Sequence, residues 1–280
     1  MMALDRELVL ARLKQLPALP IAIAELLATF GNEEVDIGSI ARKIALDQAL
    51  TARVLRVANS SFYGLQHKVG TINEAVVVLG FRAVRSIVLA VGINGAFRVD
   101  HCPGFDTRSY LRHGVAVGVT ARLLAPLTGH NPELAFTGGL LHDIGALVLA
   151  ANFPEPYATV LAHRQQQDCF LVVAERTSLG MDHGEVGGLL ADTWRFPFEL
   201  HQALAEHHAP GRAEPGSLAE LIHIADAVAH ALGHSGTEAE MVMPIAGTAW
   251  RRLGLDAEKI RRVLARVVAG VEEADQALSV

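Results

Sequence analysis

At 280 residues the chain can bury a full hydrophobic core without disulfide or metal staples. It is 51% hydrophobic and 19% charged, with a net charge of −6 from 30 acidic and 24 basic residues. That balance excludes a disordered chain and argues against a nucleic-acid surface, which is normally basic.

Cys102 and Cys169 form neither a C-x-x-C motif nor a disulfide framework, and read as reduced thiols. The start, MMALDRELVL, lacks the basic-then-apolar pattern of a signal peptide. Apolar stretches are broken by charge or Gly short of the ~20 residues that span a bilayer. The expectation is a cytoplasmic protein with no membrane segment.

The chain reads as helical nearly throughout, rich in Ala and Leu, with only 5% aromatics and little strand alternation. Pro17 and Pro20 punctuate the segment before a helix from Ile21, which Gly31 or Asn32 ends. Asp36 caps a helix with Ile37, Ile40, Ala41 and Ile44 on one side. The next runs from Gln48 to Asn59, with Leu50, Val54 and Val57 inward. After the loop SSFYGLQHKVG, Thr71 and Glu74 form a capping box, and Gly80 divides the following apolar run into two helices. Arg42, Lys43, Arg53 and Arg56 make this half locally basic, but stacking aromatics are few.

The polar segment RVDHCPGFD, residues 98–106, is the expected boundary between an N-terminal helical lobe, 1–100, and a C-terminal helical lobe, 101–280. In the second lobe Asp106 caps a helix whose apolar side includes Tyr110, His113 and Val117. Asn131 and Pro132 start another, with Gly138, Gly139, His142, Ala146 and Leu149 on one side and Asp143 beside it. Gly138 and Gly139 allow a close backbone approach there. Asp182 and Glu185 form a capping box, and His183 leads the inward face that follows. Pro197 opens a helix on which His207 and His208 extend the stripe of Leu200, Ala203 and Leu204. Ser217 and Glu220 form a further capping box ahead of Asp226. His223 and His230 flank Asp226 as candidate supporting groups. Asp256 caps the last helix, whose stripe of Ile260, Val263, Val267 and Val271 packs on the same chain, with homodimerisation as the alternative.

His113, His142, Asp143, His183, His207, His208 and Asp226 thus point inward from five helices. Buried imidazole and carboxylate groups are costly unless paired, and a divalent ion pairs them all at once. The donor set suits one or two divalent transition-metal ions: Fe, Mn, Zn or Ni. Asp143 beside His142 could bridge two ions.

The order His, His-Asp, His, His-His, Asp resembles the HD superfamily of metal-dependent phosphohydrolases. On that resemblance His113, His142, Asp143 and Asp226 form the core quartet. His183, His207 and His208 correspond to the extra ligands of binuclear and HD-GYP-type sites. The stretches LPALPIAIAELL, IALDQALTARVLRVANSSFYGL and TINEAVVVLGFRAVRSIVLA resemble the HDOD family, the HD-related output domain. So do GGLLHDIGALVL, LGMDHGEVGGLLADTWRFP and AEHH, and the likeness covers roughly residues 10–235. It implies an all-α fold of two packed helical lobes, the C-terminal one an HD-like bundle. It also implies a role in bacterial signalling, exerted on a protein partner.

Hydrolytic HD-GYP enzymes carry a Lys just after H-D-x-G and a G-Y-P segment after the His-His pair. Here Ala146 and HHAPGRAEPG stand at those positions, which argues against cyclic-di-GMP hydrolysis. Two readings stand. One is a signalling output module that keeps its metal site, with the N-terminal lobe and the ANSSFYG loop as a contact surface. The other is a metal-dependent phosphohydrolase acting on a nucleotide or phosphate ester, with Asp143 as its catalytic residue.

Overall fold

A computed structural model of the chain describes residues 4–16, 19, 21–29, 36–60, 63–234 and 241–278. Pro17, Pro20, Gly31, Asn32 and, in the ANSSFYG loop, Ser61 and Phe62 lie outside the described residues. The fold is all-α. Its helices are α1 (Arg6–Lys14), α2 (Ile21–Ala28), α3 (Ile37–Ala45), α4 (Gln48–Ala58), α5 (Ile72–Leu79) and α6 (Phe81–Asn94). These are followed by α7 (Thr107–Thr128), α8 (Pro132–Leu141), α9 (Ile144–Asn152), α10 (Pro154–Gln167) and α11 (Leu171–Leu179). The chain continues with α12 (His183–Thr193), α13 (Phe198–Glu206), α14 (Leu218–Ala231), α15 (Gly247–Arg252) and α16 (Ala257–Leu278).

Polar side chains start these helices as their chemistry dictates. The carboxylates of Asp36, Asp47, Asp106, Asp182 and Asp256 accept first-turn backbone N–H groups at 2.8–3.0 Å, and Asn131 Oδ1 accepts two more. Thr71 Oγ1 accepts the Glu74 N–H, while Glu74 reaches back one residue further than a standard box, to the Gly70 N–H. Gly80 separates α5 from α6 at φ +85°, a conformation that disfavours any side chain. The box expected at Ser217 is half formed. Glu220 accepts the Gly216 N–H at 2.8 Å, but the Ser217 hydroxyl is buried without a partner. Glu220 turns instead to Arg252, which donates to it at 2.8 Å from α15.

Helices α2 to α6 pack on one another as one lobe, and α7 is the axis of the other, contacting α8, α14 and α16. Helix α6 joins the lobes by packing on α8, where Ser86 Oγ donates to the Glu133 carbonyl at 3.0 Å. Helix α1 lies against α12, tied by Leu4 N–H to the Leu179 carbonyl at 2.8 Å. The stripe of α16 faces α7 and α4 of the same chain, burying Val263, Val267 and Val271. Residues 132–152, α8 and α9 together, are long and apolar enough to cross a bilayer, because Gly138, Gly139 and Gly145 do not interrupt them. Of its most apolar 18-residue window 83% is buried within the protein, so it is the core element on which the site is built.

Candidate metal centre

The His142-Asp143 pair sits at the junction of α8 and α9, not within one helix as the periodicity predicts. Neighbouring residues on an α-helix point about 100° apart, so a continuous helix would turn the two side chains away from each other. Here His142, just past the end of α8, caps that helix, and Asp143, at φ −94° and ψ 16°, caps the next. The break lets imidazole and carboxylate face one interior point.

Small residues bring the neighbouring helices within reach. A Cβ on Gly139 would fall 2.7 Å from the Gly118 backbone, and one on Gly145 would fall 1.9 Å from the His183 carbonyl oxygen. Only glycine fits at either crossing. Gly139 sets α8 on α7, which carries His113. Gly145 sets α9 on the start of α12, where His183 projects.

All seven residues singled out from the sequence meet in this centre. Asp143 Oδ1 lies 3.1 Å from His183 Nε2, 3.2 Å from His142 Nε2 and 3.4 Å from His207 Nε2. Asp226 Oδ1 lies 3.1 Å from His113 Nε2, and His208 Nε2 lies 2.8 Å from His183 Nε2. His230, read from the sequence as a supporting group, is closer in than expected. Its Nε2 is 3.3 Å from Asp226 Oδ1 and its ring rests 4.5 Å from that of His113. His223 supports the backbone: its Nδ1–H donates to the His207 carbonyl at 2.8 Å, and its Nε2 accepts the Ala246 N–H at 2.9 Å.

Tautomers are fixed by the surroundings. His142 Nδ1 donates to the Gly139 carbonyl at 2.7 Å, and His207 Nδ1 to the Leu204 carbonyl at 3.1 Å. Each neutral ring then aims an Nε2 lone pair at Asp143 Oδ1, itself an acceptor. His142 Nε2, His207 Nε2, Asp143 Oδ1 and Asp226 Oδ1 are all buried without a hydrogen-bond partner. Acceptors facing acceptors in a dry interior repel unless a cation lies among them. Protons meet only part of this: against its burial, Glu175 and Asp143 hold His183 well above the ordinary imidazole range, whereas burial pushes His142 down to about 4, and His208 is held well below that range by burial and by His207 and His183. Asp143 stays ionised, since His142 and His183 outweigh the cost of its burial. A divalent ion fits the donor chemistry.

The donors fall into three overlapping groups, two of which share Asp143. One comprises Asp143, His183, His207 and His208; a second His113, His142 and Asp143; and a third His113, Asp226 and His230. In each group the donor atoms lie within 4.8 Å of one another.

Glu175 on α11 is the residue that sequence reading missed. It is fully buried, and its Oε2 accepts both the His183 Nδ1–H at 2.6 Å and the His183 backbone N–H at 3.0 Å. Its other oxygen accepts the Tyr157 hydroxyl at 2.9 Å. The signal was available: Glu175 is three residues after Val172 and four before Leu179, on the buried stripe of its helix. A cavity of about 170 Å³ opens onto the centre, with Tyr110, Tyr157, Ala146 and Arg164 in its walls.

The HDOD domain family model matches residues 16–210. The fold is shared with a candidate phosphohydrolase from Shewanella amazonensis SB2B, 32% identical, with a TM-score of 0.77 over 96% of this chain and 97% of that one. An HDOD domain protein of unknown function from Geobacter sulfurreducens is 22% identical, with a TM-score of 0.79 over 98% of each chain. A candidate signal transduction protein from Marinobacter aquaeolei VT8 is 24% identical, with a TM-score of 0.79 over 95% of this chain and 60% of that one. An uncharacterized protein from Treponema pallidum (strain Nichols) is 26% identical over 199 residues, and the chain spans 38% of that relative's length. The match over residues 16–210 and the shared helical architecture make this chain a member of the HDOD family.

Proposed function

We propose that the chain is an output module of bacterial signal transduction that keeps a His/Asp metal centre and acts on a protein partner. The carrying observation is Ala146. It is buried in the cavity wall beside Asp143, where the resemblance to hydrolytic enzymes calls for a Lys to meet phosphate. The centre itself contributes buried carboxylates, which attract metal ions and repel a phosphate group in their absence. Bound metal would then tie α7, α8, α12, α13 and α14 together through their ligands, and so fix the geometry of the C-terminal lobe. The partner surface proposed is the N-terminal lobe, which is exposed, locally basic and joined to the centre through α6 and α8.

One observation favours a phosphohydrolase as the second reading. The cavity reaches the donor groups and has Arg164 in its wall, a cation that could meet a phosphate in place of the missing Lys. A bound divalent ion supplies a water of lowered pKa and offsets charge on the phosphoryl group. Asp143, common to two of the donor groups, would orient that site, and Tyr110 and Tyr157 would narrow its approach.

The test is metal analysis of the purified protein, followed by turnover assays on phosphate esters and cyclic nucleotides. Bound metal without turnover supports the signalling module. Metal-dependent turnover that disappears in Asp143→Ala favours the hydrolase. Absence of any bound metal sinks both.

A further inference from the structure

We infer that the junction between the lobes carries a second ligand site, for a small aromatic anion, separate from the His/Asp centre. A cleft of about 190 Å³ lies between α4, α6 and α7. Its floor is apolar, built by Val57, Ala90, Val115, Leu140 and Leu147. Its rim carries Arg53 and Arg56, and no acidic side chain lines it.

Size and charge select the occupant. A cavity of roughly 150 Å³ accepts one benzene ring. The floor therefore takes a single ring and leaves little room for more. Two guanidinium groups at the mouth select a carboxylate or phosphate on that ring, which both present paired oxygens to a planar fork of donors.

Arg53 is aimed for this task. Its Nε donates to the Ala49 carbonyl at 3.3 Å, and it forms no ion pair among the described residues. Its Nη1 lies over Gly95, where a Cβ would stand only 2.6 Å away. Glycine at this position leaves the guanidinium room at the cleft mouth.

The cleft shares a wall with the metal centre. Tyr110 lines both cavities, and its hydroxyl donates to Asn94 Oδ1 at 3.2 Å on the cleft side. Leu147 lines the cleft and its neighbour Ala146 the centre. An occupant would touch the N-terminal lobe and the elements that hold the donors, which suits an input to a signalling domain.

The experiment titrates the full chain with benzoate and phenyl phosphate, with benzyl alcohol as the uncharged control. The readout is the methyl NMR signals of Val57, Val91, Val115 and Leu147. Saturable shifts are expected with at least one anion, and the tighter of the two tells carboxylate from phosphate recognition. Binding should weaken about tenfold or more in the Arg53→Gln/Arg56→Gln double variant, as expected for loss of charge-assisted hydrogen bonds. Gly95→Ala, which displaces Arg53, should weaken it in the same direction. Metal-stripped protein, which keeps both arginines and the apolar floor, should still give saturable shifts, with an affinity changed less than in the arginine variant. The inference is overturned if neither anion gives saturable shifts or if benzyl alcohol binds equally well. It is likewise overturned if the arginine variant binds unchanged, or if binding disappears with the metal centre.

Discussion

Glu175 holds His183 by both its ring and its backbone, through bonds of 2.6 and 3.0 Å to a single carboxylate oxygen. Burial disfavours a charged imidazole, yet the carboxylates of Glu175 and Asp143 hold His183 well above the ordinary range. The Nδ1 proton is thereby committed to Glu175, and Nε2 faces Asp143 at 3.1 Å. A carboxylate behind a ligating imidazole fixes its orientation and raises its basicity.

Glu175→Gln removes that charge while keeping the shape. One of its two carboxylate acceptors becomes an amide donor, which can give a hydrogen bond to the Tyr157 hydroxyl oxygen, so His183 keeps its bonds but loses the negative charge behind its ring. Metal affinity should fall by about 10- to 100-fold at the group that includes His183, with helical content retained. Competition against a chromophoric chelator measures it. Unchanged affinity would show that Glu175 is only a packing residue.

Gly145→Ala tests the helix crossing. Its new methyl would meet the His183 carbonyl at 1.9 Å, a backbone atom that cannot swing aside. Separating α9 from α12 should cost about 1–3 kcal/mol or more. It should also lift His183 from Asp143, so bound metal should drop even where the protein stays folded. Urea midpoints and metal content of the same sample check both effects. An unchanged pair of values would mean that the crossing relaxes freely.

Asp143 belongs to two of the donor groups, whereas His208 belongs to one. Asp143→Ala should therefore deplete more of the bound metal than His208→Ala does. Elemental analysis of the two variants beside the parent decides the matter. Equal depletion by both would imply a single ion held by the whole cluster.

Much of this site was readable from residue order because its ligands lie on apolar stripes. A His at the inward position of α7 or α12, or in the turn that ends α13, has no water to satisfy it, so the periodicity that finds the core also finds the donors. Capping residues such as Asp106, Asn131 and Asp182 announced where those helices begin. Three features escaped for definite reasons. Glu175 lies on α11, a helix of nine residues with no side-chain cap. The turn at His142-Asp143 interrupts an apolar run that periodicity alone treats as continuous. Ser217 has the sequence of a cap, but Arg252, 32 residues further on, draws Glu220 into a tertiary contact that local pattern does not foresee.

Acid should unfold the metal-stripped protein earlier than carboxylate titration alone would do. Burial lowers His142 from the ordinary 6.5 to about 4, and holds His208 well below 6.5 as well. Between those values the unfolded chain binds protons that the folded chain refuses, so stability falls as pH drops from 6.5 toward 4. His183 does not oppose this. Its pKa is raised, so its contribution is fully present below 6.5 and is lost only at higher pH. Asp143 and Asp226 are depressed, and their contribution is lost only below the usual carboxylate value of 3.8. Across the window from 6.5 to 4 His142 alone should cost on the order of 3 kcal/mol, offset in part by Glu133, Glu185 and Glu206, whose burial-raised carboxyls take up protons more readily in the folded chain. Urea midpoints of stripped protein at about pH 7.5 and about pH 5 measure the change. In His142→Gln the fall should be shallower, since one of the refusing groups is gone. A midpoint that does not move between the two conditions would mean that these imidazoles reach water once the metal is removed.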